Sequence, residues 1–366
     1  MAEVGAVFPA FLAQRSAETL TLESGATTPR RFSSLQREHR ATRQAAGLFD
    51  FSFMCCIEVS GAASLEFLQF LQTRTVAALG RNRIAYTLLL RDDASVLIDA
   101  TVWRIADDRY WLFAGDLTLS TQIAAVARNF AVQLIDRSRG LAVMAVQGPV
   151  SHRIVDEVLT DAGVAALPYF GFTKTEFSGA ECRIARIGYS GESGYELIVP
   201  DAVAAELWVE LLAAGEPHGM LECGFDAADT LRMEAGHILY SRELAAHVTP
   251  AELGMARLVD NERAEFRGAP ALRAQRWRPP ARRLTGLLPQ RAVAVDATIP
   301  ACVNAGDAVV TSVCRSPLFE REIALGFVHP DDAYAGTVVR LAGGARAQVV
   351  RLPFYDPARV LPRRPL

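Results

Sequence analysis

The sequence lacks the features that mark membrane, secreted and nucleic-acid-binding chains. Its opening segment, MAEVGAVFPAFLAQRSAETL, has neither the basic start nor the apolar run of a secretory signal, and no later stretch is apolar for long enough to span a bilayer. The formal charge of -3 and the pI of about 6.1 give no basic footprint for nucleic acid. We therefore predict a cytoplasmic protein with no membrane partner and no nucleic-acid partner.

Cysteine and lysine are also scarce. The six cysteines are dispersed, with no C-x-x-C pair and no histidine cluster at zinc spacing. This pattern argues against a disulfide scaffold or a zinc module, so we predict reduced, mostly buried thiols and no metal site. Of the 38 basic residues only Lys174 is a lysine, a compositional bias that says little about function.

What is present is the composition of an ordered protein with several domains. The chain has 366 residues, of which 51% are hydrophobic and 22% are charged. The segment SSLQREHRATRQAAGL has a helical pattern, as does ASLEFLQFLQTRTV, whereas AYTLLL, SVLIDATVWRI and RYWLFAG are typical of antiparallel strands. CRIARIGYSGESGYELIVP predicts a hairpin with a glycine-rich bend, and AVAAELWVELLAAG an amphipathic helix.

The pattern changes after the polar, arginine-rich segment NERAEFRGAPALRAQRWRPPARR. Beyond it, short strands such as LTGLLP, DAVVTSV and EIALGFV alternate with Gly and Pro turns, as in a small barrel or sandwich. We predict an α+β chain with residues 1–60 plus 145–258 in one α+β domain and residues 61–144 in a second. Residues 275–366 are predicted to form an all-β domain.

Glu196 is a carboxylate on a largely apolar strand, GYELIVP. Such a group can accept two parallel hydrogen bonds from an amidine-like edge, and the 2-amino and N3–H edge of a pterin is a good fit. The alternative is that Glu196 simply faces water on the polar side of a half-buried strand. The preceding bend, GYSGESG, has neither dinucleotide nor phosphate-loop spacing and by itself predicts only a glycine-rich turn around Tyr189.

Asp99 lies inside the strand SVLIDATVWRI, flanked by apolar residues. A carboxylate there is expected to be buried, to need a partner, and to have a pKa available for acid–base chemistry. The equally acceptable alternative is a structural ion pair with Arg91 or Arg104.

Other candidates carry weaker signals. Cys55 and Cys56 have no base placed by the sequence to form a thiolate, so packing is the better interpretation. His39 and His237 are expected in the core or on a helix surface. Arg232 and its acidic neighbours fit ion pairing along a helix.

In collinear order, several segments resemble the aminomethyltransferase family of glycine cleavage T proteins over nearly the whole chain. EHRATRQAAGLFDFSFM resembles E-H-x-A-V-R-x-x-x-G-L-F-D-V-S-H-M, and RIGYSGESGYELIVP resembles R-T-G-Y-T-G-E-x-G-[FY]-E-I. DTLRMEAGHILYSREL is similar to D-[TS]-L-R-L-E-A-G-x-x-L-Y-G-x-E-L, and VTSVCRSPLFEREIALGFV to V-T-S-G-x-x-S-P-x-L-x-x-x-I-A-L.

The resemblance implies a three-domain, cloverleaf-like ring with tetrahydrofolate in a central channel and a C-terminal β barrel or jelly roll. It implies pterin recognition by Glu196, places Tyr189 beside the folate and places Asp99 near the folate nitrogens that carry the one-carbon group. Tyr86 and Arg232 are included among the expected folate contacts. The implied donor is either a small molecule or a lipoylated H-type carrier protein bearing an aminomethyl group.

The chain also departs from the T-protein pattern. Phe53 and Cys55 replace the His and Gly of S-H-M-G, Ile98 replaces the first Asp of an Asp-Asp pair, and Ala228 stands where T proteins carry a folate-contacting Arg. These changes favour, as an alternative, a tetrahydrofolate-dependent O-, S- or N-demethylase of a small methylated compound. An alternative of another class is a folate-binding protein without catalysis.

Overall fold

The structure, a computed structural model, describes residues 7–23, 25–263, 265–275 and 277–365, and for Val7 and Asp161 only the backbone. In these residues helices and sheets are mixed, as the α+β prediction requires. The helices are α1 (Val7–Arg15), α2 (Leu35–Gln44), α3 (Ser64–Leu71), α4 (Leu119–Ala127), α5 (Ser151–Val158), α6 (Asp201–Gly215), α7 (Phe225–Glu234), α8 (Tyr240–Glu243) and α9 (Ala269–Gln275).

The strands form a small ribbon and three larger sheets. The ribbon pairs β1 (Glu18–Thr21) with β2 (Thr27–Arg31). The remaining strands in chain order are β3 (Gly47–Asp50), β4 (Cys55–Ser60), β5 (Ile84–Leu90), β6 (Val96–Arg104), β7 (Arg109–Ala114), β8 (Gln133–Asp136), β9 (Leu141–Gln147), β10 (Phe172–Phe177), β11 (Ala180–Ala185), β12 (Gly194–Pro200), β13 (Leu221–Glu222), β14 (Arg283–Pro289), β15 (Ala308–Ser316), β16 (Arg321–Val328), β17 (Val338–Arg340) and β18 (Arg346–Val350).

The first large sheet has six strands in the order β10-β11-β12-β9-β3-β13, and the second has five in the order β5-β6-β7-β4-β8. Strands β5, β6 and β7 pair antiparallel and β11 pairs antiparallel with β12, which confirms both sequence predictions. The chain passes from the first sheet to the second between Asp50 and Cys55, a few residues before the boundary expected from the sequence, because β4 pairs with β7 and β8.

The first and second large sheets each have one face covered by helices and one face turned toward the other of the two. Helices α1, α5 and α6 cover the six-stranded sheet, burying Trp208 and Leu211 against strand residues such as Met144 and Leu197. The facing surfaces enclose a second apolar layer, which contains Trp103, Phe172 and Ile198 among others. The backbone of Ile84 bonds to Phe170 at 2.9 Å and so ties β5 to the first sheet.

Helix α3 is shorter than the pattern of ASLEFLQFLQTRTV predicts. It ends at Leu71 because Gln72 adopts an extended conformation and forms a β bridge with Leu89. Periodicity alone did not reveal this pairing, since the partner lies in a strand further along the chain.

The C-terminal part is a five-stranded antiparallel sheet in the order β15-β16-β14-β18-β17, which confirms the all-β prediction. Its apolar residues form two clusters. One cluster lies within the sheet and its turns and includes Leu287 and Val349. The other joins β14–β16 to α7 and to β5, and it includes Met233 and Leu88. In the part of the chain that the structure describes, no helix is both long and apolar enough to cross a membrane.

Candidate active site

Glu196 lies at the centre of the six-stranded sheet and points into the apolar layer between the two sheets. Its strand neighbours on either side are Ala145 and Ala185, which both have small side chains. The residue is 6% exposed, and among the described residues its carboxylate has no hydrogen-bond or ion-pair partner. Burial raises the pKa of Glu196 to about 7. The alternative that Glu196 faces water is therefore wrong.

Asp99 lies on the face of the second sheet that points away from helices α3 and α4. On β6, Thr101 and Trp103 share the side of Asp99, while Ile98 and Ala100 point into the core beneath α3 and α4. Asp99 is half-buried, and burial raises its pKa. Its ladder partner Leu88 lies in the apolar cluster that joins the second sheet to α7 and to the C-terminal sheet.

Tyr86 is the partner of Asp99. Tyr86 pairs with Thr101 across the ladder, so Asp99 is its diagonal neighbour on the same face, within reach of a long side chain. The Tyr86 hydroxyl donates a hydrogen bond of 2.9 Å to Asp99, which opposes the rise in the pKa of the carboxyl group. Arg91 and Arg104 bond elsewhere, to Val96 O and to Leu79 O, so the proposed ion pair with Asp99 is not formed.

The glycine-rich bend is shaped by a protein side chain. A Cβ atom at Gly188 or Gly194 would lie 1.9 Å or 2.4 Å from the Gln147 side chain, so both positions require glycine. Gln147 in turn donates to Ile187 O at 3.2 Å and accepts from Ser190 at 2.8 Å. These contacts hold the bend against β9 and fix the backbone on either side of Tyr189.

Tyr189 is held in one orientation by two contacts. Its hydroxyl donates to Ile238 O, and its ring is stacked on His237, with the ring centroids 5.6 Å apart and the planes inclined by 15°. Burial lowers the pKa of His237 to about 3, with nearby Arg359 adding to the effect, so the imidazole is neutral at pH 7. The stack with a neutral ring and the hydroxyl bond together fix the orientation of the Tyr189 ring.

Arg232 is bonded through its guanidinium to protein groups on several elements. It is buried, and its guanidinium bonds to Asp229 at 2.7 Å, His237 O at 3.1 Å, Glu243 at 3.2 Å and Ser312 at 3.0 Å. These partners link α7 to α8 and to the C-terminal sheet. The structure thus shows the ion pairing expected from spacing, and a direct folate contact by Arg232 remains a prediction.

A second buried network went unrecognised in the sequence. Arg43 bonds to Glu234 at 2.7 Å and to Glu192 at 2.8 Å, and His39 bonds to the same oxygen of Glu234 at 2.9 Å. Ser316 of the C-terminal sheet donates to the other oxygen. The network joins α2, the glycine-rich bend, α7 and β15. In the sequence these residues stood out only as members of the segments that resemble the family motifs, because the residues that they contact are distant in sequence.

The C-terminal segment also reaches the site, which no sequence signal predicted. A cavity of about 40 Å³ is lined by Tyr169, His237, Arg359 and Arg363, together with Gly188 of the bend. The charge of Arg359 opposes the rise that burial causes in the pKa of both Tyr86 and Tyr169. A larger cavity, of about 440 Å³, lies around residues 249–281 and contains none of the predicted site residues.

The remaining sequence candidates act as packing groups. Cys55 and Cys56 are buried, and burial raises the pKa of both thiols, which supports packing over nucleophilic chemistry. Ile98 points into the core, away from Asp99. Phe53 makes edge contacts with Phe51 and Phe225, both at 5.8 Å. In the described ranges, no group of three or more His, Cys, Asp or Glu side chains is arranged to hold a metal ion.

Comparison with known proteins defines the class. Residues 4–263 match the GCVT N-terminal domain, and residues 282–356 match the glycine cleavage T-protein C-terminal barrel domain. The described fold thus belongs to the class of enzymes that transfer one-carbon groups.

Individual relatives agree over nearly the full length. The chain is 35% identical to an aminomethyltransferase of Bacillus subtilis, covering 89% of this chain and 92% of the relative. It is 37% identical to one of Streptomyces coelicolor, covering 92% and 94%. The crystal structure of the glycine cleavage system aminomethyltransferase T from Bartonella henselae superposes with a TM-score of 0.83 at 27% identity, covering 95% and 97%. The chain belongs to the glycine cleavage T-protein family, the aminomethyltransferases, which use tetrahydrofolate as acceptor.

Proposed function

We propose that the layer between the two sheets binds tetrahydrofolate and that Glu196 is the anchor of its pterin ring. The main support is that the buried Glu196 carboxylate has no protein partner among the described residues and is flanked by two alanines. Burying a carboxylate without partners costs free energy, and hydrogen bonds from a ligand with two parallel N–H donors offset that cost. The residues therefore fit the pterin edge.

Asp99 is proposed as the catalytic residue. Its carboxylate shares a sheet face with Tyr86, and its charge adds to the effect of burial in raising the pKa of Tyr189. When bound, tetrahydrofolate supplies the N5 amine that accepts the one-carbon group. The Asp99 carboxylate stabilises positive charge that develops near that nitrogen and is placed to accept a proton. Tyr86 holds the carboxylate in position and favours its ionised form.

Tyr189 is proposed to cover one face of the bound pterin. Its ring is fixed by the stack with His237 and by the bond to Ile238 O, so little side-chain entropy is lost when a flat ligand docks. Arg232 acts mainly by holding α7 and α8 in place beside this ring.

The donor remains to be assigned between two classes. The relatives named as aminomethyltransferases favour an aminomethyl group carried on a lipoylated protein. A small methylated compound is the second candidate, because Phe53 places an aromatic ring beside Phe225 where the family resemblance expects a histidine. In either case the proposed acceptor is folate N5.

Reconstitution tests the proposal and separates the donors. The protein is incubated with tetrahydrofolate and either a lipoylated aminomethyl carrier or a panel of O-, S- and N-methyl compounds. Ammonia release with the carrier supports aminomethyl transfer, whereas 5-methyltetrahydrofolate from a small donor supports demethylation. The Asp99→Asn variant should bind folate and lose turnover with the active donor. Folate binding without turnover on any donor would favour a protein that binds folate without catalysis.

A further inference from the structure

The larger cavity, of about 440 Å³, is formed by the segment of the chain between α8 and β14. Its walls come from residues 249–252, from residues 256–266, from helix α9 and from residues 278–281. We call it the linker cavity. Its volume falls within the range of small-molecule sites, and none of the residues proposed to contact folate lines it.

The walls of the linker cavity are anchored to the rest of the fold on two sides. Thr73, which follows α3, donates from its hydroxyl to Leu258 O at 2.8 Å and accepts from the backbone N–H of Asp260 at 2.9 Å. On the other side, the backbone N–H of Leu284 in β14 donates to Glu252 O at 2.8 Å. The walls are therefore held in place by the fold before any ligand binds, which lowers the entropic cost of binding.

The charges on these walls favour an anion. Among the described residues, three arginines and one glutamate line the cavity: Arg263, Arg273, Arg278 and Glu252. The glutamate is already bonded, because it accepts from the backbone N–H of Thr249 at 2.8 Å and forms an ion pair of 3.3 Å with Arg282. The cavity is thus electrostatically complementary to a negatively charged ligand.

Arg263 is incompletely satisfied by the protein. Its Nη1 donates to two neutral acceptors, Gln72 O at 3.1 Å and Arg74 O at 2.7 Å. Its Nη2 is buried and has no hydrogen-bond partner among the described residues. Burial lowers the pKa of Arg263, and the charge of Asp260 opposes that decrease without an ion pair between the two side chains. A partly buried cation bonded only to carbonyl groups is stabilised when an anion binds beside it.

Another part of the wall is apolar. Val259, Phe266 and Ala269 line the cavity and are buried in the apolar cluster that joins the second sheet to the C-terminal sheet, and Leu272 of α9 packs against the same cluster. The Arg263 guanidinium lies 5.3 Å from the centroid of the Phe266 ring, so the charged and apolar parts of the wall adjoin. A ligand that fits both parts has an anionic group attached to an apolar body.

We propose that the linker cavity binds an organic anion of one or two rings, whose acidic group lies beside Arg263 and whose apolar body packs on Phe266 and Leu272. A guanidinium group binds carboxylates and phosphates alike, so the acidic group is one of these two. The inference goes beyond the proposed function and does not depend on it, because the residues proposed to bind folate lie outside this cavity.

Calorimetry with 1-naphthoate, 1-naphthyl phosphate and the neutral 1-naphthol tests the site. The two anions distinguish a carboxylate site from a phosphate site, and the alcohol shows what the charge contributes. Arg263→Gln removes the charge, whereas Ala281→Trp fills the cavity from an exposed position and keeps Arg263 with its bonds. Arg283→Gln is the matched control, because Arg283 is an exposed arginine of the same region that does not line the cavity.

Wild type and control should bind at least one anion with a Kd of about 1 mM or tighter, and roughly tenfold more tightly than the alcohol. Arg263→Gln should lose this preference for the anion, and Ala281→Trp should weaken anion binding by about tenfold or more. The anion bound more tightly identifies the acidic group that the site takes.

Three results would overturn the inference: no binding of either anion, equal wild-type affinity for anions and alcohol, or undiminished anion affinity in Ala281→Trp. The last result decides the matter even if Arg263→Gln fails to fold. Displacement of the bound anion by 5-formyltetrahydrofolate would also overturn it, because the anion would then occupy the folate site.

Discussion

Tyr86 and Asp99 are joined by a hydrogen bond of 2.9 Å between diagonal neighbours on adjacent strands. Burial raises the pKa of the Asp99 carboxyl group, and the hydroxyl of Tyr86 opposes that rise by donating to the ionised form. The pairing therefore determines at which pH the proposed catalytic carboxylate is charged.

Replacing Tyr86 with Phe removes this donor and should raise the pKa of Asp99. The acid limb of the pH profile of kcat/KM should then move to higher pH by about one unit, which corresponds to the loss of one hydrogen bond to a charged group. Initial rates measured between pH 5 and pH 9 with the active donor give the profile. A Tyr86→Phe profile that overlays the wild type would show that Asp99 is not the titrating group.

Glu196 should make stability depend on pH in a way that one substitution removes. Its pKa is raised from an ordinary 4.5 to about 7, so the folded state binds a proton that the unfolded state has released in that interval. This contribution to stability is fully present below pH 4.5 and is lost as pH rises through 7. Glu196→Gln has no such loss. The difference in unfolding free energy between this variant and the wild type should therefore shift by about 2 kcal/mol in favour of the variant as the pH rises from 5 to 8.

Urea unfolding of both proteins at the two pH values measures this difference, and other titrating groups cancel in the comparison. A gap between the two proteins that stays constant with pH would mean that the Glu196 carboxylate is solvated or paired in the folded protein.

Arg232 should matter for stability more than any exposed arginine. Arg232→Met leaves Glu243 buried without its cationic partner and removes the bond to Ser312, so the variant should lose about 3–5 kcal/mol of unfolding free energy. Arg242→Gln, on the exposed side of α8, should change it by less than about 0.5 kcal/mol. Equal urea midpoints for the two variants would contradict the structural role assigned to Arg232.

Much of the fold could be predicted from local pattern. Alternating apolar residues predicted β5–β7 as antiparallel strands, and the Gly and Pro turns after the arginine-rich segment predicted the all-β C-terminal part. These signals are local, since each depends on residues within one strand or one turn. The end of α3 was missed because the bridge between Gln72 and Leu89 is a contact between separate elements.

The site was predictable only in part. Glu196 and Asp99 stood out as acids on apolar strands, but pattern could not decide between a buried and a solvent-facing Glu196, because that depends on the packing of the second sheet over the first. The pairing of Asp99 with Tyr86 instead of Arg91 follows from strand register, which the sequence alone did not specify. The position of Arg359 beside Tyr169 depends on where the C-terminal segment returns, and no local signal encodes that path.

The affinity of Glu196→Gln for 5-formyltetrahydrofolate, measured by calorimetry at pH 6 and pH 8, tests the central claim most directly. Glu206→Gln, a change on the exposed part of α6, is the control. Because the pKa of Glu196 is about 7, wild-type and control affinity should fall about tenfold from pH 8 to pH 6, as the carboxylate becomes protonated. Glu196→Gln should bind roughly tenfold more weakly at pH 8 and show no such fall. Wild-type affinity and wild-type pH dependence in Glu196→Gln would contradict the assignment of Glu196 as the pterin anchor.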